Sequence, residues 1–124
     1  MKPFKENFVL TTKEFVKTMF PPTADSALVK KVSDDMSAAP PLVAINAMQN
    51  LFSYHAFKAL KDMNAPIISI NCDRYPLNIE ETRKHTKSFE VKIMKGVGHF
   101  VMLEDPDKFN KLLQEAINEL SEKK

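Results

Sequence analysis

Residues able to do chemistry are densest between Gly96 and Asp107. His99 stands directly after Gly96-Val97-Gly98, and Glu104, Asp105 and Asp107 follow it. An imidazole titrates near neutral pH, so a histidine on a freely turning loop is suited to taking and returning a proton. The competing reading of such a histidine is a capping or packing residue. These two glycines are the only ones in the chain, so backbone freedom is concentrated where the histidine must be turned. The same scarcity excludes a Gly-x-Ser-x-Gly elbow, a P-loop and a dinucleotide fingerprint from this sequence.

His99, Glu104, Asp105 and Asp107 look like a metal cluster by composition. Their spacing fits neither a zinc nor a calcium site, and Asp105 and Asp107 are better read as acids at a helix N-terminus. No metal and no cofactor is expected. His85 lies within Arg83-Lys84-His85-Thr86-Lys87 and reads as a solvated basic helix end rather than a phosphate site.

The elements that position these residues follow from periodicity. Thr11 to Glu14 has the T-x-x-E form of a capping box and predicts a short helix that Pro21-Pro22 stops. A second helix begins near Thr23 to Asp25, with Leu28, Val29, Val32 and Met36 on one face. Pro40-Pro41 opens a third, carrying Leu42, Ile45, Met48, Leu51 and Phe52. Another short helix covers about Tyr54 to Leu60. Ile67 to Ile70 then reads as a buried strand, and Phe89 to Met94 as a second. Between them, Pro76 to about Lys87 fits a surface crossover helix. Asp105-Pro106 supplies an N-cap and a proline at the first helical position. Phe109, Leu112, Leu113, Ala116, Ile117 and Leu120 give the following helix one apolar face and lead to a charged tail.

Composition narrows the class. The chain has 124 residues, 44% of them apolar, enough for a domain of modest size with a core. A net charge of +2 spread along the chain points to neither nucleic acid nor an anionic membrane. There is no apolar run of membrane-spanning length, and the first residues lack the pattern of a signal peptide. Cys72 is the single cysteine, so no internal disulfide forms, and a cytoplasmic location is expected.

The order is helices first, then β-α-β-α. Two parallel strands and one crossover leave both sheet edges open, whereas parallel sheets are normally covered on both faces. The sequence asks for more sheet than it supplies.

Gly-Val-Gly-His-Phe-Val-Met-Leu-Glu-Asp-Pro, from Gly96 to Pro106, with Phe109-Asn110 and the amphipathic helix after it, resembles the end of an α/β-hydrolase. Asn64 to Pro76 resembles the preceding strand and the turn that bears the catalytic acid. The proline-broken helices resemble the cap over the active site. The resemblance implies the C-terminal half of that fold, with residues 1–61 as helical cap and 62–124 as the last part of the core. It implies His99 as the triad histidine, taking the proton of a serine that this chain lacks.

The acid departs from the family pattern. Aligned on Pro76, the usual Gly-x-x-Asp-x turn puts Cys72 at the glycine and Tyr75 at the aspartate. A phenol does not fix an imidazole tautomer as a carboxylate does. Asp73, two residues earlier, is the candidate acid if the turn is rearranged; otherwise the acid lies on an earlier strand or is lost. Cys72 follows a strand in the wrong half of the fold to be a nucleophile, and reads as a small buried packing residue.

The resemblance implies hydrolysis of an ester or related small molecule with an apolar portion. The missing N-terminal half would be partner, and the chain alone would be inactive. Of a different class is a non-catalytic module, self-associating or ligand-binding, in which a second copy covers the open sheet. The particular substrate and the reaction within the family are not written in these residues.

Overall fold

The computed structural model describes residues 1–75 and 77–122. Pro76, expected to start the crossover helix, and the last two lysines of the tail lie outside the described residues. The chain has mixed helix and strand, with two parallel strands in one sheet. It divides into two compact units, Met1–Tyr54 and His55–Lys124.

The first unit is helical: α1 (Lys2–Glu6), α2 (Phe8–Thr18), α3 (Ser26–Ser37) and α4 (Pro41–Ser53). The start of α2 differs from the capping box expected at Thr11. Asn7 caps it instead, its side chain accepting the Leu10 N–H at 3.1 Å. Starting there places Phe8, Thr12 and Val16 on one buried stripe at four-residue spacing. Thr11 is left to donate its hydroxyl to the Pro3 carbonyl at 3.0 Å, tying α1 to α2. Asp25 caps α3 as its position suggests, accepting the Ala27 N–H. Across the α2–α3 pair, Asp34 takes Lys13 at 2.6 Å and Lys30 at 2.5 Å. On α4 Ile45 is buried, while Leu42, Leu51 and Phe52 of its expected apolar face are exposed, as is Val43 outside that face.

The second unit runs α5 (Ala56–Lys61), β1 (Ile67–Cys72), α6 (Ile79–Lys84), β2 (Phe89–Met94), α7 (Val101–Glu104) and α8 (Pro106–Glu122). The strands pair in parallel, in register from Ile67 opposite Phe89 to Cys72 opposite Met94. The helix between them is shorter than expected. Asn78 caps it, accepting the Glu81 N–H at 3.1 Å, and it ends at Lys84.

Cys72, Met94 and Val101 form the buried centre of this unit, with Ile70, Val97, Phe109 and Leu112 packed around it. Alternation along the strands explains the grouping: Ile70, Cys72 and Met94 face the side that α8 covers. Lys92 shares that face, and its ammonium reaches Glu119 at 2.6 Å and Glu115 at 3.8 Å. The Glu119 carboxylate in particular raises the Lys92 pKa above its ordinary value. Asp105 caps α8, accepting the Lys108 N–H at 3.0 Å.

Candidate active site

Both strands run the same way, so the loops after Cys72 and after Met94 emerge at one edge, the carboxyl edge where open α/β sheets place ligands. Asp73 and Tyr75 lie on the first loop and His99 on the second. The side chain of His99 is exposed. Its ring meets Phe100 edge-on at 5.1 Å between centroids and Tyr75 edge-on at 6.4 Å.

Two carboxylates fasten the histidine loop through the two glycines. Asp73 Oδ1 accepts the Gly96 N–H at 3.2 Å, reaching across from the end of β1. Glu104 accepts the buried Gly98 N–H with both oxygens, at 2.9 Å each. Gly96 has φ +80, and a Cβ built there meets nothing within 4 Å. Glycine is needed at this point for the left-handed backbone, not for space.

The structure thus brings His99, Asp73 and Tyr75 to one edge. Asp73 is hydrogen-bonded to the loop backbone, and among the described residues no hydrogen bond joins it to the imidazole. Cys72 is 1% exposed in the core. Glu104, read from the sequence only as part of an acidic cluster, is the residue that sequence reasoning missed. Its one signal was position: an acid just after the histidine, ahead of an Asp-Pro helix start.

His85 differs from the solvated helix end expected of it. Its side chain is 19% exposed, Nε2 lies 3.1 Å from Glu81 Oε1, and the ring stacks on Phe57 at 4.6 Å. Lys84, and then His85, hold the Glu81 carboxyl below its usual pKa. Among the described residues no group of His, Cys, Asp and Glu side chains is placed to hold a metal ion. None of their helices is long and apolar enough to cross a membrane. A cleft of about 630 Å³ lies in the first unit, lined among others by Leu10, Lys13, Phe20, Val29 and Lys30.

Chemically, the edge offers one accessible imidazole on a loop fixed by two charge-assisted hydrogen bonds, flanked by aromatic rings. Such a group can move a proton to or from a reacting atom brought to it. Compared with known proteins, the chain matches no family model, no curated protein and no solved structure.

Proposed function

We propose that this chain is the histidine-bearing, C-terminal part of an α/β-hydrolase acting on an ester or related small molecule with an apolar portion. The placement of His99 carries the reading: an exposed imidazole just past the carboxyl end of β2, beside the loop that follows the parallel strand β1. In the reaction His99 accepts the proton of a serine hydroxyl as the oxygen attacks the acyl carbon. It then passes that proton to the departing alkoxide, and a water repeats the sequence to release the acid. The serine and the oxyanion-binding N–H groups come from the other half, so the chain alone has no turnover.

The test pairs the chain with a segment encoded beside it that carries Gly-x-Ser-x-Gly. The assembled pair hydrolyses a p-nitrophenyl ester, and His99→Ala lowers that rate by a factor on the order of 10³ without dispersing the pair. An assembled pair indifferent to His99→Ala, or no such segment, would sink the proposal.

A second reading, a self-associating module, is favoured by α4. Its Leu42, Leu51 and Phe52 are 69–73% exposed, large apolar side chains of the kind that a second copy covers. Sedimentation of the pure chain decides it, since a dimer is expected and a monomer at high concentration refutes the reading.

A further inference from the structure

We propose that Glu104 is the positioning residue of the His99 loop, holding the imidazole in its presented orientation by clamping the Gly98 N–H. The inference rests on the reading of His99 as the working base and adds the residue that aims it.

The geometry supports this assignment over a purely structural one. Gly98 immediately precedes His99, so holding its N–H fixes the Val97–Gly98 peptide, one residue before the histidine. Both Glu104 oxygens sit 2.9 Å from that one N–H, and a hydrogen bond to a carboxylate is about twice as strong as a neutral one. Glu104 closes α7, the four-residue turn that starts directly after Phe100, so its carboxylate folds back over the loop that led into its own helix. Val101, at the start of that turn, is 4% exposed in the cluster with Cys72 and Met94. The acceptor is therefore anchored to the core, while the histidine it steers is exposed.

Other anchors of the loop do not duplicate this one. Asp73 holds Gly96, upstream of Val97, at a longer 3.2 Å. Asp105 is committed to the Lys108 N–H at the start of α8. Among the described residues, Glu104 is the carboxylate bound to the backbone N–H of the residue directly before the histidine.

The chain's two glycines make the test simple. Glycine-selective ¹⁵N labelling of the whole chain gives two backbone resonances, one from each end of this loop. In Glu104→Ala the Gly98 resonance moves upfield and its amide exchanges with solvent faster, by about tenfold or more. The ring proton resonances of His99 move in the same variant, while those of His85 stay in place. Glu104→Gln keeps one acceptor oxygen and restores part of both effects, and it serves as the reference should Glu104→Ala fail to fold.

Unchanged Gly98 and His99 ring resonances in Glu104→Ala and Glu104→Gln would overturn the assignment. Because these readouts need no turnover, failure of the hydrolase reading would show separately, as an assembled pair indifferent to His99→Ala.

Discussion

Asp73 Oδ1 accepts the Gly96 N–H at 3.2 Å, so the loop after the first strand holds the loop after the second. This contact joins segments far apart in sequence at one edge of the sheet. Asp73→Ala is expected to cost about 1 kcal/mol in urea denaturation, the value of one exposed hydrogen bond to a charged acceptor. Asp73→Asn keeps a carbonyl oxygen in place and loses less. Equal losses in the two variants would mean that charge, not this hydrogen bond, is what matters.

Gly96 tests backbone freedom apart from packing. A methyl group there meets open space, so any cost of Gly96→Ala comes from the φ of +80. The expected loss is roughly 1 kcal/mol, with Gly96→Asn losing less because asparagine tolerates the left-handed region. Unchanged stability of Gly96→Ala would show that the loop relaxes to another conformation.

Acid sensitivity in the first unit should trace to Asp34. Lys13 and then Lys30 hold its carboxyl at about 2, down from the ordinary 3.8. A depressed folded-state pKa gives stability that is present above the unfolded value and lost as pH falls through the folded one. Helicity followed by circular dichroism should therefore weaken from about pH 4 down towards pH 2. Asp34→Asn should flatten that part of the profile; an identical acid profile in the variant would remove Asp34 as the cause.

Met94 is 0% exposed at the end of β2, whereas Met102, on the short turn after the histidine, is 45% exposed. Met94→Ala is expected to cost roughly 2–5 kcal/mol through lost contacts and the cavity left behind. Met102→Ala should stay within about 0.5 kcal/mol. Similar thermal midpoints for the two variants would contradict the core drawn around Cys72, Met94 and Val101.

Much of the second unit is legible in the sequence because its signals are local. Phe89 to Met94 reads as a strand by its β-branched and aromatic residues, and its pairing then needs only a parallel partner such as Ile67 to Cys72. Asp105-Pro106 announces α8 by capping chemistry alone. The short helices α1 and α7 are not legible, since four or five residues carry too little periodicity to stand out. The start of α2 is misplaced by the T-x-x-E pattern at Thr11, because the cap that the folded chain uses is Asn7, four residues earlier.

The apolar spacing on α4 is real, but periodicity says which residues share a face and not whether anything packs on it. At the site, His99 and its glycines are plain in the sequence. The grip of Glu104 on Gly98 and the stacking of His85 on Phe57 are not, because both depend on where the chain folds back.

Cys72 gives the protein a built-in reporter. As the chain's one thiol, 1% exposed beside Met94, it is shielded from alkylating reagents while the two strands stay packed under α8. Each labelling event must await a transient opening of that layer. The pace of modification in native buffer therefore clocks how often the floor beneath the histidine loop breathes, with no probe introduced.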